Sequence, residues 1–372
     1  MNFLRLQIVI AFFFFGWSIS DRTVVCEKKY RVKVHHSGME SSEPAEKVLV
    51  RSTCSSLEPV LFYMDVESVV CGDSQCRIDV IRMYWDAFGV FKRIELPTGV
   101  DLEKAGGISF SKEDYEKLNR ILCNKKSSLK DVQKYEVTGS ETSEGVDAMA
   151  GETIALNTKS YVKGAVWTCY TLWHWANGEV VPIIQNKTGN SMTVKELVAL
   201  LKDTSPINKI FALEQLIRLK HFGMEIQNAV LGLRTGENLR LQKLVIKYLS
   251  QVSKKNYMIG IGYLLEKRND QFAHLALRSM LNSAHEMPNE FLQSVGKYVI
   301  NSNSYQQLEV FLTILETKSI TYPPIHNDLI SILQHTNFLM SRRVYWYLSG
   351  QNLSEESELE LKNFKKKNSK KI

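Results

Sequence analysis

From Cys26 to about Leu96, apolar and polar side chains alternate, and β-branched and aromatic residues are common. A period of two is the mark of strands with one buried face. It predicts strands at Tyr30–Val34, Lys47–Val50 and Val60–Met64. Two more, Ile78–Trp85 and Val90–Leu96, flank Asp86-Ala87-Phe88-Gly89, which reads as a hairpin turn. The result is a small, mostly antiparallel sheet. Ser111, followed by Lys112, Glu113 and Asp114, then reads as a helix N-cap with an acidic first turn. Its helix places Tyr115, Leu118, Ile121 and Leu122 on one face.

Further on the period lengthens to three and four. Asn157 or Thr158 caps a helix that Gly178 stops. Val162, Ala165, Val166, Cys169, Leu172, Trp173 and Ala176 form its single apolar face. Gly164 inside it marks a close neighbour, a strand in preference to a cofactor. In Trp173-His174-Trp175 the same spacing buries Trp173 and turns His174 and Trp175 away. A core Trp with interface packing against the helical region is favoured there over a stacking site with a proton donor. His35-His36 reads as a strand-end pair.

After Val180-Val181-Pro182, strand signals fade and helix follows helix. Similar segments recur at Phe211–Ile217, Leu241–Ile246, Phe272–Leu277, Leu308–Ile314 and Ser341–Tyr347. A partner helix fits before each: Val194–Leu201, Glu225–Leu233, Tyr257–Leu265, Phe291–Val299 and Ile325–Leu333. A repeat of about 30–35 residues is the signature of stacked helical hairpins. The pattern resembles HEAT-like repeats. The expected fold class is an α+β N-terminal domain followed by an all-α helical-hairpin solenoid.

The ends read differently. Arg5 precedes the nearly unbroken apolar run Ile8–Trp17, and Ser18-Ile19-Ser20 offers a small-residue cleavage site. This predicts a signal peptide over 1–20 and an exported chain, periplasmic or extracellular. The run is about half of what a bilayer-spanning helix needs, and no later run is apolar enough to span a membrane. Domains are expected at 21–180 and 190–350, with 351–372 as a basic, unstructured tail. The net charge of +7 gathers in that tail, at Lys362, Lys365, Lys366, Lys367, Lys370 and Lys371. It therefore argues for a solubilising end and against a nucleic-acid partner.

Export permits disulfides among Cys26, Cys54, Cys71, Cys76, Cys123 and Cys169. Cys71 and Cys76 are the closest pair. No Cys-x-x-Cys-His run offers haem attachment, and no second Cys/His pair has zinc spacing. Nucleophile-elbow, Walker and zincin patterns are also absent, so a hydrolase reading has no support.

The chemistry sits in the loop Asp147-Ala148-Met149-Ala150-Gly151-Glu152-Thr153, ahead of the helix. It resembles the acceptor loop of the FMN-binding-domain family, which runs Asp-Gly/Ala-x-Ser/Thr-Gly-Ala-Thr. Asp147, Gly151 and Thr153 stand in register, whereas Ala150 replaces Ser/Thr and Glu152 replaces Ala. The resemblance extends from the hairpin near Arg77 to Gly178. It implies that Thr153 carries FMN through a phosphoester, attached by a separate flavin transferase with FAD as donor. It further implies electron transfer outside a bacterial membrane, with Asp147, Ala150, Gly151 and Glu152 as the remaining cofactor residues. Glu152 opposes this, since like charges at contact cost about 1 kcal/mol in water and several at lower dielectric. A fold whose flavin site is degenerate stays open, as does a loop alike by chance. In the degenerate case the helical repeats bind a protein partner. Arg342-Arg343 and Tyr345-Trp346-Tyr347 are candidates for that surface, with hairpin packing as their first reading.

Overall fold

A computed structural model describes residues 26–39, 43–53, 60–72, 75–132, 158–267 and 269–372. The chain divides into two compact units between Ile184 and Gln185. The signal-like segment 1–20 and the acceptor-like loop Asp147–Thr153 lie outside the described residues.

The first unit is built on a five-stranded antiparallel meander in chain order. Its strands are β1 (Cys26–Val34), β2 (Ala45–Thr53), β3 (Leu61–Gly72), β4 (Gln75–Asp86) and β5 (Phe91–Glu95). The β3/β4 register sets Phe62 opposite Trp85, Met64 opposite Met83 and Val66 opposite Ile81. All six are buried, and they make one apolar face. The residues between them point outward and pair across strands. Arg82 binds Asp65 at 2.7 Å and lies 4.4 Å over the Tyr63 ring. Lys47 reaches Glu67 at 2.7 Å. Such exposed pairs add little stability, so the fold rests on the inner face. The predicted turn is present: the Gly89 N–H donates to the Asp86 carbonyl at 3.0 Å, and Gly89 has φ +72°.

Helix α1 (Lys112–Cys123) begins as its sequence predicts, with a capping box between Ser111 and Asp114. Leu118, Ile121 and Leu122 are buried. The next helix departs from expectation. Thr158–Ser160 forms only a single 3₁₀ turn, and α2 runs Val166–Asn177. The cause is Gly164, whose φ of +76° breaks the helical path. There the chain passes the two-residue strand β6 (Glu103–Lys104), which pairs with β7 (Ile108–Ser109). The Ala105 N–H donates to the Gly164 carbonyl, and a Cβ on Gly164 would lie 3.3 Å from the Lys104 Cβ. The close neighbour is a strand, as expected, but Gly164 precedes the helix and is not inside it.

The single-face expectation for α2 is also corrected. From Val166 to Ala176 every residue except His174 is buried. The helix has β3 on one side and α1 on another, so it has no free polar face. Trp175 is therefore core, not turned away. The Trp85 indole N–H donates to the Ala176 carbonyl at 2.9 Å, joining sheet to helix end.

Helix α3 (Val180–Ser191) carries the chain into the second unit. Five hairpins follow among the described residues. They are α4 (Val194–Leu201) with α5 (Pro206–Arg218), α6 (Met224–Leu231) with α7 (Leu239–Leu249), and α8 (Lys254–Lys267) with α9 (Asp270–Asn282). Then come α10 (Asn289–Asn301) with α11 (Tyr305–Thr317), and α12 (Pro323–Ile330) with α13 (Phe338–Leu348). First helices pack on first helices and second on second, giving two layers. This is the hairpin solenoid that the repeat spacing predicts. Four of the five second-layer helices share a start signal: the side chains of Asn238, Asn269, Ser304 and Asn337 each accept a backbone N–H at the first turn.

The basic end is not an unstructured tail. Residues Glu355–Asn368 form helix α14, which packs on α12 and α13. Ser354 caps it, Glu355, Glu356 and Glu358 fill its first turn, and Lys365, Lys366 and Lys367 fill its last. That order complements the helix dipole, and Phe364 supplies a buried anchor.

Trp85→Phe keeps an aromatic ring on β4 but removes the indole N–H and so leaves the Ala176 carbonyl without that donor. It is expected to lower the stability of the first unit by about 1–3 kcal/mol. Urea unfolding followed by tryptophan fluorescence measures this, since among the described residues only Trp346 lies outside that unit.

Candidate functional site

Asp147, Ala150, Gly151, Glu152 and Thr153 fall in 133–157, outside the described residues. Thr158 and the residues around it are described. Lys159 and Ser160 line a cleft of about 330 Å³ together with Lys117, Arg120, Ile121, Asn124 and Ser127. The Ser128 hydroxyl donates to that of Ser160 at 3.0 Å and closes one side. Lys117 and Arg120 stand one turn apart on α1, so both reach the same opening. The sequence from Lys117 to Lys130 holds Lys125 and Lys126 as well, and no carboxylate. Thr158 to Gly178 adds Lys159 and Lys163, again with no carboxylate. Like-signed cations this close raise the local potential within a Debye length of ~8–10 Å. The cleft suits an anionic oxygen group, with Arg120 offering a planar fork and the lysines point charges.

A second cleft, of about 300 Å³, lies on the far side of Asn124. Lys125, Lys130, Trp173, His174, Asn177, Gly178 and Val181 line it. The Trp173 indole N–H donates to the Asn124 carbonyl at 2.9 Å. The Asn177 amide donates to the carbonyls of Leu122 at 3.0 Å and Trp173 at 3.3 Å. Helix α2 thus pins the turn that carries Lys125 and Lys130. Two ammonium groups beside an indole and an imidazole fit an anionic, planar ligand.

Behind this cleft lies a histidine pair. The His36 and His174 rings stack with centroids 6.0 Å apart and planes 6° from parallel. His36 also meets Trp175 edge-on at 4.4 Å, and His174 meets Tyr170 at 4.5 Å. The Gly38 N–H donates to His36 Nδ1 at 3.1 Å, which places the neutral ring's proton on Nε2. That Nε2 is buried and has no hydrogen-bond partner among the described residues. Burial, then the positive fields of His174, His35 and Lys47, push His36 down to about 3. Burial pushes His174 down to about 4, against a backbone hydrogen bond at Leu129 that favours its charged form. Both rings are neutral near pH 7 and hold no anion.

The pair is not a nucleophilic dyad. The Ser37 hydroxyl lies 3.2 Å from His174 Nε2 and 3.4 Å from Nδ1, shared between the two ring nitrogens. Burial pushes the Cys169 thiol up to about 12, so it is inert. Cys26 and Cys123 are exposed free thiols. Cys71 and Cys76 are paired positions in the β3/β4 backbone register. Among the described residues no group of three His, Cys, Asp or Glu could hold a metal, and no helix is long and apolar enough to cross a membrane.

Sequence reasoning missed both clefts and the histidine pair. The carboxylate-free run from Lys117 to Lys130 was a readable signal for the first. His36 and His174 are brought together only by the packing of the β1 end on α2, which local periodicity does not encode.

The pair gives the first unit a pH dependence. Both histidines have folded pKa values below the unfolded value of 6.5. The unfolded chain therefore binds more protons below pH 6.5, and stability falls as pH drops from there towards 4. Urea midpoints from tryptophan fluorescence should decline between pH 7 and pH 5, and His36→Gln should flatten that decline.

Compared with protein-family models, with curated proteins and with solved structures, the chain matches none.

Proposed function

We propose that the chain is an exported carrier of covalently attached FMN, with Thr153 as the acceptor and the helical unit as a docking scaffold. The observation that supports this reading is the basic cleft of Lys117, Arg120 and Lys159, the last of which follows the acceptor-like loop by six residues in sequence. A phosphoester adds negative charge to a segment that already holds Glu136, Glu141, Glu144, Asp147 and Glu152 against Lys134. Cations are what such a segment needs. A neighbouring positive charge offsets the like-charge cost of a carboxylate beside a phosphate. Lys125, Lys130 and the Trp173–His174 edge offer a second place suited to an anionic planar group. When bound, the flavin supplies redox chemistry; the protein's part is orientation and electrostatics.

The test is co-expression of the full chain with a flavin transferase. The mature protein should be yellow and heavier by one FMN less one water, and Thr153→Ala should be colourless and unmodified. Lys117→Glu with Arg120→Glu should lower the modified fraction several-fold while circular dichroism is unchanged. A folded, colourless, unmodified wild type overturns the reading. Full modification of the charge-reversed variant detaches the cleft from it.

A second reading makes the chain a non-enzymatic scaffold with a degenerate flavin site. Its support is the second helical layer, where Ile207, Leu239, Tyr305 and Leu339 recur at helix starts and are each 37–50% exposed. Repeat arrays present such surfaces to partners. Leu239→Glu and Leu339→Glu in the full chain should abolish partner capture without loss of helix content.

A further inference from the structure

The last hairpin and α14 leave a face that the core does not explain. Phe338, Arg342 and Trp346 are spaced four apart on α13 and so share one side of it. Trp346 and Leu339 are each 50% exposed. The Arg342 guanidinium lies 4.8 Å from the Trp346 ring centre and 5.9 Å from that of Phe338. Lys371, just beyond α14, sits 5.7 Å over the same Phe338 ring. Arg343, its neighbour in sequence, is used differently. It is tied to Glu309 at 2.9 Å and Glu316 at 2.8 Å, which locks α13 to α11. Among the described residues Arg342 and Lys371 have no ion pair, while Lys365, Lys366 and Lys367 add positive charge in the last turn of α14, opposite in sign to Glu355, Glu356 and Glu358 in its first. A cleft of about 250 Å³ between α13 and α14 completes the face, lined by His335, Phe338, Glu360, Asn363, Phe364 and Lys367 among others.

A guanidinium stacked on aromatic rings keeps its N–H edge free for a bidentate carboxylate. A half-exposed Trp at the rim is a typical anchor for an apolar side chain. Hence we propose that this face binds an acidic segment of a partner protein, with a carboxylate on Arg342, further carboxylates on the α14 lysines, and an apolar residue against Trp346 and Leu339. Charge complementarity selects the partner, and the concave cleft beside directional Arg342 favours a peptide over a flat anionic membrane. The proposal extends the scaffold reading by naming the surface and the chemistry it recognises.

The probe is a fluorescein-labelled twelve-residue peptide repeating Glu-Glu-Leu-Phe, titrated by anisotropy against the full chain. Saturable binding is expected, weakened roughly tenfold by Arg342→Gln and by Trp346→Ala, and weakened by salt. Lys243→Gln, on the distant α7, should change nothing. Absence of saturable binding, or equal loss in the Lys243→Gln control, overturns the proposal. So does tighter binding to phosphatidylserine vesicles than to the peptide with the same dependence on Arg342 and Trp346. None of these outcomes touches the flavin on Thr153, and partner capture lost only through Leu239→Glu would leave a scaffold that uses another face.

Discussion

A five-stranded sheet with one apolar face cannot leave that face in water, and helix α2 is what covers it. Phe62, Met64, Val66, Ile81, Met83 and Trp85 are buried at or near 0% exposure. Burying each large side chain is worth roughly 1.5–3 kcal/mol, far more than the exposed ion pairs on the outer face. The Trp85 indole then fixes the position by donating to the Ala176 carbonyl. The same helix holds the loops that carry the two clefts. Trp173 pins the Asn124 carbonyl, Asn177 pins that of Leu122, and Cys169 Sγ accepts the Val162 N–H at 3.3 Å. The cations of both clefts therefore stand where α2 puts the loops that carry them.

Much of this was legible because it is local. Alternation located each strand of the meander, and Asp86–Gly89 its turn. Ser111 reads as an N-cap with an acidic first turn, and the structure adds the reciprocal bond that makes it a capping box. Recurrence of apolar helices located every hairpin, since a repeat must bury its own face against its neighbour. The misreadings have physical causes. A helix from Asn157 fitted the periodicity, but periodicity does not show that Gly164 takes a φ of +76°, outside the helical path, where the chain passes Lys104. Trp175 looked peripheral because one apolar face was assumed, whereas α2 is enclosed on more than one side. The lysine-rich end looked unstructured by composition, yet its charges are ordered along a helix and Phe364 gives it an anchor.

The two units carry different kinds of chemistry. The first gathers cations in two clefts whose linings hold no carboxylate among the described residues, beside a neutral histidine pair that contributes packing and pH sensitivity but no charge. The second spreads its exposed apolar residues along helix starts and ends in a cation–aromatic face. The flavin proposal draws on the first and the docking proposals on the second, so each stands or falls on its own residues.

Amide hydrogen exchange at neutral pH tests the central claim, that α2 holds the first unit together. Residues 166–177 should be the slowest to exchange there, opening together with 61–66 of β3 and 81–85 of β4. Early exchange of 166–177 while β3 and β4 stay protected would contradict the account.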